Sequence, residues 1–431
     1  MTLLKGNCLE TLKTLDTASV DSIVTDPPYE LGFMGKSWDN SGIAYNQDLW
    51  AECLRVLKPG GHLLAFSGSR TYHRMVVAIE DSGFEIRDQI MWLYGSGFPK
   101  SLDVSKAIDK AAGAEREVGI AGRYLSRRPK TLVETNIGAF NGTMGGTSSA
   151  LVTTPATPEA QQWQGWGTAL KPAHEPIVVA RKPLIGTVAN NVLTYGTGAI
   201  NIDGSRVGTA EVITNHSRSA ESAVSKGKYG DSSAQETHQT AGQTLGRWPA
   251  NVIHDGSDEV LAGFPITGAS KSGKRDPNGK KQTNAFGDYN ALPDAIRGHD
   301  DNGGSAGRFF YCAKASKSER NAGLEGLPER RESDRERDDG VGGNNPRNRT
   351  NEAKQNFHPT VKPLALMRYL IKLVTPPNGI VLDPFLGSGT TAVAATLEGF
   401  DWIGCEMTED YWPIIEARVE WAQNERTTTL F

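Results

Sequence analysis

The chain has 431 residues, which exceeds one domain of typical size and predicts a core domain with a large insertion or a second domain. Its formal net charge of −4 at pH 7 argues against a uniformly basic nucleic-acid coat, so any nucleic-acid site must be a local patch. The four cysteines stand far apart without a C-x-x-C pair, which argues against a disulfide framework or a zinc site.

The N-terminus lacks the long apolar stretch of a secretory signal, and no apolar run approaches the length that spans a membrane. We therefore expect a soluble, cytoplasmic protein without a metal site.

Apolar strands and amphipathic helices alternate along the first hundred residues. Strands are predicted at 3–6, 22–25, 62–66 and 86–94, and helices at 9–15, 48–57 and 72–80, with a turn at 58–61. This alternation predicts a parallel sheet with helices on its faces.

Asp26, Pro27, Pro28 and Tyr29 follow the predicted strand at 22–25 and stand at its C-terminal end. Open α/β sheets bind their ligands at that edge. The two prolines fix φ and remove backbone donors, so the loop is stiff and presents carbonyl oxygens and an acid. Tyr29 adds an aromatic face on which a base can stack. Taken alone, these residues are explained equally well by a proline-terminated strand and a surface turn.

The middle of the chain has a less regular pattern. Residues 113–158 are rich in Gly, Thr, Ser and Asn, which predicts a long loop or insertion before a strand at 175–180. Residues 187–312 mix short apolar pieces with polar stretches. Residues 314–355 are dense in charges of both signs, which predicts a partly disordered segment. Basic clusters at 127–130 and 271–275 could contact phosphates, although a solvated face explains either of them.

A second motif connects a predicted strand at 380–382 to a predicted helix. Gly387 and Gly389 allow the backbone to approach a ligand and to turn sharply into the helix. No Lys precedes Thr390, so the motif is not a phosphate loop of the ATPase kind, and it lacks the G-x-G-x-x-G spacing of a dinucleotide site. The strand after the helix ends in Glu406, an acid suited to binding ribose hydroxyls.

Together the two motifs resemble those of the amino-group DNA methyltransferases that use S-adenosylmethionine (AdoMet). The catalytic motif at 26–29 precedes the cofactor motif at 383–389, which is similar to the β-class order. The resemblance covers 1–100 and 357–423, and more loosely 165–183. It implies a Rossmann-like α/β methyltransferase sheet, circularly permuted, with a large inserted target-recognition region.

The resemblance also implies which residues form the site. The implied catalytic residues are Asp26, Pro27, Pro28 and Tyr29. The implied cofactor-binding residues are Asn7, Thr360, Lys362, Asp383, Phe385, Gly387, Ser388, Gly389, Thr390 and Glu406. Asn7 stands where family members often carry Asp, and its amide oxygen can still accept a hydrogen bond. The stretch at 164–175, which includes Glu175, is similar to the family's core near the active site.

Four regions follow from the resemblance. Residues 1–100 form the catalytic half of the methyltransferase domain, and residues 101–186 form a loop-rich insertion with a returning core strand. Residues 187–356 form a target-recognition region with a disordered charged segment, and residues 357–431 form the AdoMet-binding half. The two end regions are expected to share one sheet, with their motifs side by side.

The implied activity is methyl transfer from AdoMet to the exocyclic N6 of an adenine that is flipped out of double-stranded DNA. Asp26 and the Pro27 carbonyl would accept hydrogen bonds from the amine, and Tyr29 would stack on the base. Methylation at cytosine C5 needs a cysteine nucleophile, normally within Pro-Cys, and the chain has no such dipeptide. Tyr after Asp-Pro-Pro is typical of adenine enzymes, whereas N4-cytosine enzymes of this group more often carry Ser at the first position.

Three alternatives stay open at this point. They are an N4-cytosine DNA methyltransferase, a catalytically silent DNA-binding protein, and a protein-amide methyltransferase, which usually carries Asn-Pro-Pro-Tyr. The sequence shows no convincing carboxylate-plus-Lys nuclease cluster, so the protein would act alone or beside a separate cognate restriction nuclease. We expect a monomer or homodimer that is encoded by a bacterium or a phage and lies in the cytoplasm, with nucleoid-associated DNA as the substrate.

Overall fold

The structure is a computed structural model. It describes residues 1–31, 37–97, 99, 101–120, 151–208, 212–214, 246–269, 273–274, 283–284, 287–288, 296–300, 302–314, 316–329 and 355–429. The basic cluster at 127–130 and most of the cluster at 271–275 lie outside these residues, as does most of the charged segment at 314–355.

A nine-stranded sheet forms the centre of the described structure. In chain order its strands are β1 (Thr2–Lys5), β2 (Val20–Thr25), β3 (Leu57–Phe66), β4 (Glu85–Leu93), β5 (His174–Arg181), β6 (Val252–His254), β7 (Tyr311–Cys312), β8 (Ile380–Asp383) and β9 (Asp401–Glu406). They lie side by side in the order β1-β9-β8-β2-β3-β5-β4-β6-β7.

The two ends of the chain meet in this sheet. β1 pairs with β9, so that Leu4 lies opposite Cys405. β8 pairs with β2, so that Leu382 lies opposite Ile23. Both pairings are parallel, and the strand ends that carry the two motifs therefore lie at the same edge. The prediction that the end regions share one permuted sheet is confirmed.

β5 runs against the other strands of the sheet. The strands predicted within the first hundred residues all run in one direction, as expected, and β5 joins them as an antiparallel strand. It lies antiparallel to both β3 and β4, whereas the other neighbouring pairs are parallel. β4 and β5 pair from Glu85 opposite Arg181 to Leu93 opposite His174, with a shift of register between Ile86 and Asp88. An antiparallel partner needs no crossover helix, so a long segment can be inserted between the two strands. The reversed direction brings the first residues of β5 to the edge where the parallel strands end.

β3 begins earlier than predicted, because the expected turn at 58–61 belongs to the strand. Gly60 has a φ of +78°, and the pairing of β2 with β3 shifts register between Val20 and Ser22. A Cβ at Gly60 would stand 2.3 Å from the Asn191 side chain, which donates a hydrogen bond to the carbonyl of Pro59 at 2.8 Å. The glycine therefore allows a bulge and a close approach in place of a turn.

Helices pack on both faces of the sheet. In chain order, the α-helices of the described residues are α1 (Cys8–Leu12), α2 (Gln47–Val56), α3 (Tyr72–Asp81), α4 (Val104–Ala111), α5 (Pro158–Gln162), α6 (Val188–Tyr195), α7 (Asp258–Gly263), α8 (Lys317–Asn321), α9 (Leu364–Val374), α10 (Thr390–Glu398) and α11 (Trp412–Thr429). Alternate residues of β3 face opposite sides, so Leu64 packs in a cluster with α9 and α10 while Leu63 packs in a cluster with α2 and α3.

Residues 96–173 form a compact unit of their own, separate from a unit of residues 1–95 and 174–431. It contains α4, α5 and an antiparallel pairing of Val118–Ile120 with Leu151–Thr153. Its buried Asp109 carboxylate accepts hydrogen bonds from the Arg116 side chain at 2.8 Å and from the Thr157 backbone N–H at 3.0 Å.

Shorter strands pair outside the main sheet. The antiparallel pairs are Ile266–Thr267 with Gly304–Ser305, Gly273–Lys274 with Ile296–Asp300, Val212–Thr214 with Ile296–Asp300, and Thr283–Asn284 with Gly287–Asp288.

Within the described ranges, no helix combines the length and the apolar character that a membrane span requires. The same ranges hold no group of three or more His, Cys, Asp or Glu side chains arranged to bind a metal ion. The four cysteines are free thiols.

Candidate active site

Asp26 stands directly after β2, at the C-terminal edge of the sheet. Its Oδ2 atom accepts a hydrogen bond from the Lys362 ammonium at 2.7 Å. Its Oδ1 atom is buried and has no hydrogen-bond partner among the described residues. The carboxylate therefore keeps one acceptor available for a ligand that carries a donor.

Lys362 is shared between two carboxylates. Its Nζ atom lies 2.7 Å from Asp26 Oδ2 and 3.3 Å from Glu175 Oε2. The Lys362 side chain is 9% exposed, and those of Asp26 and Glu175 are 18% exposed. Glu175 reaches this position because β5 starts at this edge of the sheet.

Tyr29 completes the group. Its hydroxyl donates to Glu175 Oε2 at 2.9 Å and accepts from Lys362 Nζ at 3.1 Å. The ammonium lies 5.2 Å from the centre of the Tyr29 ring. The backbone carbonyl of Tyr29 accepts a hydrogen bond from Thr71 Oγ1 at 2.8 Å. Both ends of the residue are thus anchored, and the ring has a fixed place beside Asp26.

Burial and charge act on this group in opposite directions. Burial raises the pKa of the Asp26 carboxyl, the Lys362 ammonium lowers it, and Glu175 raises it, with a net increase. Desolvation lowers the pKa of Lys362, but attraction to Asp26 and Glu175 outweighs it and raises that pKa above its ordinary value. Burial and the nearby carboxylates hold the pKa of Tyr29 well above its ordinary value, so its hydroxyl stays a donor at neutral pH.

Asp383 ends β8 and connects the second motif to the first. Its Oδ1 atom accepts hydrogen bonds from Thr25 Oγ1 at 2.6 Å and from the Phe385 N–H at 3.0 Å, and its Oδ2 atom accepts one from Thr391. Burial raises the pKa of Asp383 to about 6, against these hydrogen bonds. Because Thr25 precedes Asp26 in the chain, this bond fixes the two motifs side by side.

The glycines of the second motif allow a tight turn into α10. Gly387 has a φ of +55° and Gly389 has a φ of +81°, both in the left-handed region. A Cβ at Gly387 would stand 2.8 Å from Nε2 of His358, and burial lowers the pKa of that imidazole to about 4. A side chain at position 387 would therefore collide with His358.

The buried Arg418 side chain anchors Ser388 and Thr390 of this loop by hydrogen bonds. Its guanidinium donates to the Ser388 carbonyl at 2.6 Å, to Ser388 Oγ at 3.2 Å and to Thr390 Oγ1 at 3.1 Å. Ser388 and Thr390 are themselves buried. Their predicted role at the cofactor site stays a prediction, and the contacts described here are structural.

Glu406 ends β9 beside this loop. Its two carboxylate oxygens accept hydrogen bonds from the Gly387 N–H at 2.8 Å and from the Thr408 N–H at 2.7 Å. Burial raises the pKa of Glu406, and these backbone donors lower it. Each carboxylate oxygen retains a further lone pair for a ligand hydroxyl.

Three predicted cofactor residues make contacts within the protein that the sequence did not indicate. Asn7 caps α1, with its amide oxygen accepting from the Leu9 N–H at 2.9 Å. Thr360 is exposed, and its carbonyl lies 3.0 Å from His358 Nδ1. Lys362 has its ammonium on Asp26, so the structure places it with the catalytic motif.

Glu175 and His358 also contact the two motifs, and the sequence predicted neither of them as a site residue. Glu175 appeared only as part of a family-like stretch, and His358 only within the family-like region at 357–423. No spacing in the chain connects either of them to the motif that it contacts, because both contacts arise from strands and loops that are distant in sequence.

Comparisons with known proteins identify relatives of this chain. A family profile described as DNA methylase matches residues 20–417. Type II methyltransferase M.HpaI of Haemophilus parainfluenzae is 34% identical over 113 residues, which cover 25% of this chain and 36% of M.HpaI. DNA adenine methyltransferase YhdJ of Escherichia coli (strain K12) is 46% identical over 54 residues, which cover 12% of this chain and 18% of YhdJ. The chain therefore spans well under half the length of these curated relatives.

Solved structures were also compared. A PvuII DNA methyltransferase described as cytosine-N4-specific aligns over 99% of this chain and 92% of its own, with 13% identity and a TM-score of 0.41. An M1.HpyAVI–SAM complex aligns over 97% of this chain and 98% of its own, with 15% identity and a TM-score of 0.35.

Proposed function

The chain belongs to the DNA methylase family, and from this premise we propose that it transfers a methyl group from AdoMet to the exocyclic N6 of adenine in DNA. The observation that carries the proposal is the buried Oδ1 atom of Asp26, which has no hydrogen-bond partner in the described part of the chain and lies in a stiff loop beside Tyr29. A planar amine is the donor that fits this acceptor.

The exocyclic amine of the base is a poor nucleophile, because its lone pair is delocalised into the ring. Hydrogen bonds from the two N–H groups to Asp26 Oδ1 and to the Pro27 carbonyl favour a pyramidal nitrogen, whose lone pair can attack in line. As the new N–CH₃ bond forms, the bond between that methyl group and sulfur would break and its electron pair would stay on sulfur. One N–H proton is then released to water.

The second motif offers groups that suit the binding of AdoMet. Gly387 leaves no room for a side chain of its own, and Glu406 offers acceptor oxygens at the strand end. We assign the ribose hydroxyls to Glu406 and the methionine part to the loop at 383–389. When bound, AdoMet supplies an electrophilic methyl group. The protein's own contribution is to hold the amine and the loop in a fixed relation through Thr25 and Asp383.

The target base must leave the duplex to reach Asp26, because the amine is inaccessible in a stacked helix. Tyr29 supports this step, since its anchored ring offers a face for stacking next to the carboxylate. A stacking contact of this kind is worth about 1–3 kcal/mol per base. Adenine is the proposed base because Tyr follows Asp-Pro-Pro in the motif.

The remaining parts of the proposal concern partners. Double-stranded DNA is the substrate, and residues 187–356 are the proposed target-recognition region. A separate cognate restriction nuclease, a monomeric or homodimeric state and a cytoplasmic location stay predictions of the same proposal.

Nucleoside analysis tests the proposal directly. The protein is incubated with unmethylated DNA and AdoMet, the DNA is digested, and the methylated nucleoside is identified by mass spectrometry. N6-methyladenine is expected from the wild type and not from Asp26→Ala. N4-methylcytosine would refute the choice of base, and no methylated nucleoside would refute the enzymatic activity. An undiminished signal from Asp26→Ala would refute the role of the carboxylate.

A further inference from the structure

We propose that Lys362 and Glu175 act as a positioning pair that sets the charge and the orientation of the Asp26 carboxylate. The inference rests on the proposed function, because Asp26 is the residue that would hold the amine. It gives a role in the reaction to two residues outside the catalytic motif.

The geometry joins three separate parts of the chain. Asp26 follows β2, Glu175 lies in β5, and Lys362 stands two residues before α9. One ammonium serves both carboxylates, at 2.7 Å and 3.3 Å. Its bond to Oδ2 fixes the rotation of the Asp26 carboxylate and leaves Oδ1 as the unpaired acceptor.

Glu175 has two contacts that fix the other members of the group. The same Oε2 atom accepts from the Tyr29 hydroxyl and lies within ion-pair distance of Lys362. Glu175 thereby holds the ammonium between the two acids and holds the aromatic ring next to them. A lysine side chain loses rotamer freedom at this position, and the second carboxylate helps to offset that cost.

Four titratable groups face Asp26. The Lys362 ammonium favours the ionised carboxylate. The Tyr29 hydroxyl donates its hydrogen bond to Glu175 instead. Glu175 carries a like charge and disfavours it. Asp383 is a second acid close enough to interact electrostatically with Asp26.

The charge of Asp26 decides whether it can hold the amine. An ionised carboxylate is an acceptor at both oxygens, whereas a protonated one carries an O–H that competes with the N–H donors of the base. Burial without a cation would favour the neutral form. The Lys362 ammonium counters this tendency, because it lowers the pKa of the Asp26 carboxyl against the larger effect of burial.

The test compares pH profiles of kcat/KM for DNA at saturating AdoMet, in the wild type, Lys362→Met, Glu175→Gln and a control. The control is Lys372→Met, which removes an ammonium paired with Glu398 on the partly exposed side of α9. The acid limb is expected to move up by about one pH unit or more in Lys362→Met and down in Glu175→Gln. It is expected to stay in place in Lys372→Met. Loss of structure would not move the limb in opposite directions.

A titration without DNA or AdoMet gives a second readout. The protein is labelled with ¹³C at the aspartate carboxyls, and the Asp26 signal is identified by its absence in Asp26→Asn. Its midpoint is expected to rise in Lys362→Met and to fall in Glu175→Gln. Glu175→Gln preserves side-chain size and an acceptor for Tyr29, so it tests the inference even where Lys362→Met fails to fold.

The two readouts separate the inference from the proposed function. An active wild type whose midpoints are the same in all variants would overturn the positioning pair alone. Midpoints that move as expected in a protein that methylates no DNA base would support the charge-setting pair and overturn the proposed function.

Discussion

The two carboxylate oxygens of Asp26 differ in their hydrogen bonding. Oδ2 accepts from Lys362, and Oδ1 is buried without a partner in the part of the chain that the structure describes. An unpaired buried acceptor costs roughly 1–3 kcal/mol, so the site gains free energy when a ligand donates to it. The sequence identified Asp26 because its place at a strand end is a local property. It did not pair Asp26 with Lys362, because that contact joins residues 336 positions apart.

Replacing Asp26 by Asn tests the charge of this acceptor at almost unchanged size. We expect methyl transfer to fall by a factor on the order of 10² or more, since a neutral amide is a weaker acceptor and its NH₂ group opposes the substrate amine. AdoMet binding, measured by calorimetry, should be retained because the cofactor loop is intact. Equal loss of AdoMet affinity would show that Asp26 acts through the cofactor site.

Asp383 predicts a specific pH dependence of stability. Its pKa is about 6 in the fold and about 3.9 in an unfolded chain, so the folded state binds more protons between these values. Its contribution to the free energy of unfolding therefore falls as pH rises from about 4 to about 6, by about 3 kcal/mol. Urea denaturation of the wild type and Asp383→Asn should give curves that converge or cross over this range.

Asp401→Asn is the matched control, because the Asp401 side chain is 61% exposed. Its stability should follow that of the wild type at each pH. Parallel curves for the wild type and Asp383→Asn would contradict the assignment of this pH dependence to Asp383.

At the scale of elements, two connections decide the shape of the site. The loop from β8 to α10 turns through Gly387 and Gly389 with positive φ at both. The antiparallel pairing of β4 and β5 carries Glu175 to the edge where the parallel strands end. The first device was predictable, since two glycines between a strand and a helix indicate a tight turn. The second was not, because strand direction is fixed by hydrogen bonding between strands and not by local pattern.

A methyl side chain at position 387 should hinder the binding of AdoMet to the loop at 383–389. Gly387→Ala places a Cβ 2.8 Å from His358 Nε2 at a φ of +55°, which costs about 1–3 kcal/mol of strain. We expect AdoMet binding to be weakened at least tenfold, a change that corresponds to about 1.4 kcal/mol. Calorimetry and a thermal melt measure the two effects.

Gly326→Ala provides the comparison for this variant, because a Cβ at Gly326 meets no atom within 4 Å. Its affinity for AdoMet and its melting temperature should match the wild type. If Gly387→Ala binds AdoMet as the wild type does, the loop at 383–389 is not the cofactor site.

The whole molecule depends on a sheet that closes only when both ends of the chain are present. Leu382 of β8 is fully buried in the cluster that contains Leu63 and Trp50 from the N-terminal region. On the opposite face, Val24 and Leu64 pack in the cluster with α9 and α10. Neither end region can bury its strands alone, so the two should unfold together.

Leu382→Ala tests this cooperation. We expect a loss of about 2–5 kcal/mol in the free energy of unfolding, from lost burial and the cavity left behind. Fluorescence and circular dichroism should report coincident denaturation transitions, in the wild type and in the variant. Leu193→Ala, at a side chain that is 86% exposed, should change stability little. Separate transitions for the two probes would show that the end regions fold independently.

The sequence by itself determined the two motifs, the strands that carry them and the permuted order in which they occur. These are local properties, set by apolar runs, prolines and glycines within about ten residues of one another. Only the tertiary structure decided that Asp26 and Glu175 share Lys362, that Asn7 caps a helix, and that β5 runs antiparallel. Such contacts depend on which strands become neighbours, and burial then makes their charges interact strongly.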